Sequence, residues 1–202
     1  MSTLKVDTIQ KRTGTGTINV GQSGDTIAMP SATLTTALPI TSGGTGGTSF
    51  SAAGLANTPA FYAQLTSNQA MSDNTWTKVQ FNSEDFDTDN TYDNSTNYRF
   101  TPAVAGKYYV FAGVNVDSGG ADRIYYAQTK IYKNGSEYSV GYVDYTSNLI
   151  RASFVPIFSL MDLDADDYVE IYSRVDQSSG SPTIQGHSGR ATFFGANKVI
   201  GA

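Results

Sequence analysis

Apolar and polar positions alternate most cleanly in YVEIYSRV, Tyr168–Val175. Val169, Ile171 and Val175 fall on one side, and Tyr168, Glu170, Tyr172 and Arg174 on the other. A period of two predicts a β-strand with one buried face. KYYVFAGVNV (107–116) and RIYYAQTKIY (123–132) predict two more, rich in Tyr, Val and Ile. Directly after the second comes Lys133-Asn134-Gly135-Ser136, and Asn-Gly at a strand end predicts a type I′ hairpin turn. Shorter strand-like runs occur at AFYAQL, TKVQF, YRFTP, SFVPIFSL and ATFFGANKVI, and no stretch carries an apolar period of 3.6 residues. About eight to ten strands in residues 58–202 predict an all-β fold, a jelly roll or a related sandwich.

The first part of the chain has a different pattern. LKVDTIQ, GTINVG, DTIAMP and ATLTTALPI are β-prone pieces split by Gly and Ser. Apolar pairs such as Ile18/Val20 and Ile27/Met29 alternate with polar residues for only about 3–5 positions, too few to stand alone. Ordering such a chain costs about 1–2 kcal/mol per residue, which burial in a single copy does not recover. By composition it is a disordered Ser/Thr/Gly tail, or else an extended stem or anchor ordered by sister chains or by a docking surface. Residues 1–57 hold one aromatic, Phe50, of the chain's 24. PITSGGTGGTSFSAAGLANTP, Pro39–Pro59, cannot form a core. The expected division is 1–38 as stem or anchor, 39–58 as a Gly/Ser/Thr-rich linker, and 59–202 as a jelly roll head.

Charge narrows the partners. The net charge is −5 over 202 residues, which argues against nucleic acid. Positive charge in the first part is confined to Lys5, Lys11 and Arg12, candidates for meeting an acidic anchoring surface. With no cysteine there is no disulfide framework and no thiolate metal site. LIRASFVPIFSLM is interrupted by Arg151 and Pro156, so no membrane span is expected. MSTLKVDTIQKRTG has no apolar core of a secretory signal. The expectation is either that the protein stays in the cell that makes it or that it leaves by another route, such as a particle released by lysis.

Candidate chemistry is sparse. His187 is the sole histidine and no Gly-x-Ser-x-Gly elbow is present, so it is expected in a loop or end strand. GGTGG is not followed by Lys-Ser/Thr and is no P-loop. Asp85, Asp87 and Asp89 mimic the first half of an EF-hand loop, but Asn90 replaces its glycine and Thr96 its bidentate Glu. Either these residues form a solvated acidic loop or they bind Ca²⁺ weakly. In the second acidic run, DLDADD, Asp167 is expected to support a turn and the rest to lie at the surface. Neither run suggests a glycosidase pair in a cleft, and no enzyme activity or cofactor is expected. Trp76 packs in the core or offers a sugar-stacking surface. Tyr92, Tyr138, Tyr142 and Tyr145 suit a subunit interface or a receptor contact.

In order along the chain stand AFYAQL, YDNSTNYRFTPAVAGKYYVFAGVNV, KIYKNGSEY, LDADDYVEIY and HSGRATFFGANKVI. Together they resemble the globular head of the complement component-one q subunit and its bacterial and phage relatives, which share a jelly roll with tumour necrosis factor. Asp166 stands where that family usually has Gly. The resemblance implies a compact homotrimer with an aromatic-rich face buried near the threefold axis. LPITSGGTGGTSFSAAGLA resembles a linker of tailed-phage appendage proteins, and STLKVDTIQKRTGTGTINV resembles the N-terminal segment of marine phage structural proteins. These likenesses imply a virion protein: a short trimeric fibre whose tip meets a host-surface glycan or protein, and whose N-terminal segment binds other virion proteins. A capsid head fibre, decoration or cement protein is the alternative, favoured by the short chain. A non-viral bacterial surface protein is a further one, though a collagen-like stalk is absent.

Overall fold

The computed structural model describes residues 57–187 and 189–199. Expectations for 1–38, including Lys5, Lys11 and Arg12, and for nearly all of the linker lie outside the described residues.

Thirteen strands follow one another: β1 Ala60–Gln64, β2 Gln69–Ala70, β3 Thr77–Lys78, β4 Ser83–Asp87, β5 Tyr92–Asp93, β6 Arg99–Phe100, β7 Gly106–Asp117, β8 Ile124–Lys133, β9 Ser136–Asp144, β10 Ala152–Leu163, β11 Val169–Gln177, β12 Thr183–Ile184 and β13 Phe193–Lys198. No helix occurs among the described residues. One sheet runs β2-β12-β7-β13-β1-β4, with β10 on the other side of β7. The second runs β5-β6-β11-β8-β9, with β3 added to β11. All pairings are antiparallel. The expected all-β sandwich is present.

Alternation builds the core between the sheets. In β7, Tyr108, Val110, Ala112, Val114 and Val116 point inward and are buried. The odd-numbered Val169, Ile171 and Val175 of β11 meet them from the other sheet, as their pattern predicts. Phe61 lies at the centre, stacked on Tyr92 at 4.7 Å and Phe100 at 4.9 Å, with Phe194 edge-on at 4.9 Å. Such pairs contribute about 0.5–1.5 kcal/mol each beyond their area burial.

Local rules account for the boundaries. Asn134 and Gly135 both have positive φ, 53° and 75°, and form the two-residue turn between β8 and β9. This is the backbone of a type I′ hairpin. Asp167 closes the β10–β11 turn: it accepts from Asp164 N at 2.7 Å and from Asn134 Nδ2 at 2.6 Å, and pairs with Lys133 at 2.7 Å. Pro156 sits within β10, which among the described residues pairs with β7 alone, so its missing N–H faces away from the ladder.

The acidic run departs from expectation. Ser83–Asp87 is not a loop but a strand on β1. Register slips between Tyr62↔Phe86 and Ala63↔Glu84, which leaves Asp85 as the extra residue of a β-bulge. TKVQF and YRFTP, read as strands, shrink to two residues each.

Candidate functional site

The outward face of the β10-β7-β13-β1-β4 sheet is covered with aromatic rings. Strand register explains how they meet. Phe158 lies opposite Phe111, Phe111 opposite Gly195, Gly195 opposite Tyr62, and Tyr62 opposite Phe86. One row of side chains thus crosses five strands. Leu160 and Tyr109 form part of the next row. Ring neighbours form a continuous net: Phe86–Tyr62 at 6.4 Å, Tyr62–Phe193 at 5.7 Å, Phe193–Phe154 at 6.1 Å, Tyr62–Phe111 at 6.2 Å, Phe111–Tyr109 at 5.6 Å and Tyr109–Phe158 at 6.3 Å. Phe158 is 68% exposed, Leu160 66% and Phe86 52%. A contiguous apolar face of this kind marks an interaction surface, since isolated exposed apolar residues are ordinary and clustered ones are not.

Two glycines make the layer flat. A β-carbon at Gly195 would stand 2.5 Å from Phe111 Cζ, and one at Gly113 would stand 2.8 Å from Phe193 Cζ. The rings occupy the space that side chains at these two positions would need.

A second apolar surface lies along the adjoining edge. In β9, Tyr138, Val140 and Tyr142 point outward and are about half exposed. β9 and β10 end their respective sheets on the same side of the sandwich. They close on each other through Gly141, where an added β-carbon would sit 3.1 Å from Pro156 O, and through Tyr138 OH, which donates to Leu160 O at 3.3 Å. The edge and the face present different residues.

Charge rims the aromatic face at β4. Asp85 turns from the bulge to Arg190, at 2.5 Å from Nη2, and accepts from Gln64 Nε2 at 3.0 Å. Arg190 Cζ stands 6.0 Å from the Tyr62 ring centre. Burial raises the Tyr62 pKa, with Arg190 opposing it. Asp87 is used by its own turn: it accepts from Thr91 Oγ1 at 3.1 Å, Tyr92 N at 2.8 Å and Asp89 N at 3.3 Å. Asp89 accepts from Thr88 Oγ1 at 3.0 Å. The three carboxylates thus serve separate partners. Among the described residues no group of three His, Cys, Asp or Glu side chains is placed to hold a metal ion.

The remaining candidates scatter. Trp76 is not in the core: it is half-buried on the outer face of the second sheet, with Lys130 Nζ 4.1 Å and Arg174 Cζ 5.1 Å from its ring centre. Tyr92 is core, not surface, and donates to Phe81 O at 3.1 Å. Tyr145 is half-buried with its hydroxyl 2.8 Å from Ser153 Oγ. Tyr138 and Tyr142 are exposed on β9. His187 lies in an exposed loop and accepts from Gly189 N at 2.8 Å. Sequence reasoning did not name Tyr62, Phe86, Phe111, Phe158 or Phe193 as site residues. Their signal is aromatic residues at the outward as well as the inward positions of one strand.

No family model matches the chain, and no curated protein matches it. Among solved structures it is similar to Eiger TNF from S. frugiperda, with TM-score 0.52 and 10% identity over 73% of this chain and 96% of that one. It is also similar to murine APRIL, with TM-score 0.49 and 10% identity over 69% and 98%. A third is the globular domain of zebrafish complement 1qA protein, with TM-score 0.47 and 18% identity over 70% and 97%. The fold is a TNF-like jelly roll.

Proposed function

We propose that this chain is a structural virion protein of a tailed bacteriophage, a homotrimeric appendage whose jelly roll forms the globular tip. The observation that carries the trimer is the aromatic net on one sheet, exposed at Phe158 and Phe86 among the described residues, beside a different apolar edge. Docking the edge of one copy on the face of the next is a heterologous contact, and such contacts close only as a ring. The jelly roll family that the sequence resembles implies a ring of three. Obligate interfaces of this type bury about 2,000 Å² or more and are apolar at the centre.

Support for the virion role comes from the first 58 residues. Their Gly-rich linker and N-terminal segment resemble those of phage appendage proteins. Lys5, Lys11 and Arg12 suit an acidic anchoring partner, while the head carries the negative charge. In this reading the head meets a glycan or protein on the host surface. The test is deletion of residues 1–38 in the phage that encodes the chain. The truncated head is expected to be soluble and absent from particles, and imaging of labelled intact particles places the appendage on tail or capsid. Incorporation of the truncated chain at normal copy number would overturn this polarity.

A further inference from the structure

On the head, away from the aromatic net, a cleft of about 450 Å³ opens beyond the end of β1, between β2 and the segments that link β3 to β4 and β5 to β6. Ser67, Asn68, Gln69, Gln80, Asn82 and Tyr98 supply its polar lining, and no charged side chain lines it. We propose that this cleft binds a neutral sugar unit, with the Tyr98 ring as its stacking platform and the Asn68 and Gln80 amides as its hydrogen-bonding groups. The inference rests on reading the domain as a recognition head, and it names what the head recognises.

The size lies within the range of small-molecule sites, about 300–1,000 Å³. The chemistry decides the class. Amides both donate and accept, as do sugar hydroxyls, whereas a phosphate or carboxylate needs cations that the lining does not contain. Lys78, the neighbouring cation, is already bound to Glu170 at 2.5 Å and to Asn97 O at 3.2 Å.

Part of the lining is locked and part is free. Gln69 donates to Lys78 O at 2.7 Å and accepts from Gln80 N at 2.9 Å. The Asn82 amide is tied to Thr66 through both its oxygen and its nitrogen. These bonds build a rigid frame, as a binding site requires. Asn68 Oδ1 is held by Gly186 N at 3.1 Å, which leaves its Nδ2 as a donor. The Gln80 side chain is exposed beside it.

Tyr98 is the second, independent pointer. Its φ is +49°, the left-handed region, where a bulky side chain is strained and Gly or Asn is at ease. Just before it, Asp93 clamps the chain by accepting from Ser95 N, Thr96 N and Asn97 N at 2.9–3.0 Å. An aromatic held in strain on a cleft wall points to a role in that cleft.

The experiment uses the full chain and saturation-transfer NMR with the methyl glycosides of glucose, galactose, mannose and N-acetylglucosamine, and with sialic acid as the anionic control. At least one neutral glycoside is expected to bind in the millimolar range. Tyr98→Gly weakens that binding about tenfold while the melting temperature holds or rises, because glycine relieves the φ strain. Gln80→Ala, an exposed change with no folding consequence, weakens it as well. The proposal is overturned if no neutral glycoside binds, if sialic acid binds equally well, or if both variants bind like the parent. The cleft lies within one chain. A parent protein that binds sugar as a monomer therefore contradicts the trimer alone, and a trimer that binds none contradicts the cleft alone.

Discussion

Gly195 lies beneath the ring of Phe111, so that a β-carbon at position 195 would stand 2.5 Å from Phe111 Cζ. Separations that short do not occur, and the ring must lift from the sheet if one is introduced. Phe111 lies within ring-contact distance of Tyr62, Tyr109 and Phe193, so lifting it disturbs the net. Gly195→Ala is expected to weaken self-association. The inward core residue at the next position, Phe194, is untouched. Sedimentation of the variant across a concentration series checks this, and a dissociation profile identical to the parent would refute it.

Asp167 ties its own β10–β11 turn to the end of β8, and its charge makes the tie pH-dependent. The bond from Lys133, with those from Asp164 N and Asn134, holds its pKa down to about 2, against an ordinary 3.8. A depressed carboxylate pKa adds stability above the ordinary value. That contribution fades as pH falls from about 4 through about 2. Asp167→Asn is expected to lower the melting temperature by about 3–6 °C at neutral pH, as one charge-assisted hydrogen bond is lost. The gap to the parent should close as pH falls through that window. A gap that stays constant down to pH 2 would show that the carboxylate charge is not what matters.

Gln177 is 4% exposed, and neither its side-chain oxygen nor its nitrogen has a hydrogen-bond partner among the described residues. A buried amide without partners is destabilising by about 1–3 kcal/mol. Gln177→Met keeps the length and removes the polar atoms, while the backbone bond from Gln177 N to Asp73 is retained. Thermal melts are expected to rise by a few degrees. A fall would mean that a buried water satisfies the amide.

Strands with one apolar side were legible in the sequence: β7, β8 and β11 stand within two residues of their predicted bounds at each end. The Asn134-Gly135 turn and the supporting role of Asp167 were legible too, because turn chemistry is local. β9 was not. Its outward residues are Tyr138, Val140 and Tyr142, while Ser139 and Gly141 face in, so its pattern is inverted relative to a core strand. β4 was hidden by composition, since Asp85 and Asp87 read as part of an acidic loop until β1 pairs with the segment. The sequence leaves Trp76 between core and surface for a related reason. A large aromatic at a strand start suggests burial, but cations on the same sheet face cover it instead. The aromatic net depends on register across five strands, which no single segment encodes.

Calcium is expected to leave the fold unchanged. Asp87 already accepts three hydrogen bonds within its turn, and Asp85 is paired with Arg190. Melts with added Ca²⁺ and with chelator should agree to within about 2 °C. A ligand that binds the native state at a hundred times its dissociation constant adds about 2.7 kcal/mol. A large Ca²⁺-dependent rise would therefore expose a site that these partners do not suggest.

The central claim is that the aromatic face and the neighbouring edge are covered by sister chains. Its most direct test is the molar mass of the full chain by light scattering at micromolar concentration, beside that of Phe158→Asp. Phe158 is 68% exposed in the single chain, so the substitution spares the core and strikes only the contact. The parent is expected at three times the chain mass, and the variant at one, with the same β-sheet circular dichroism. A well-folded monomeric parent, or a variant that remains trimeric, would contradict the account.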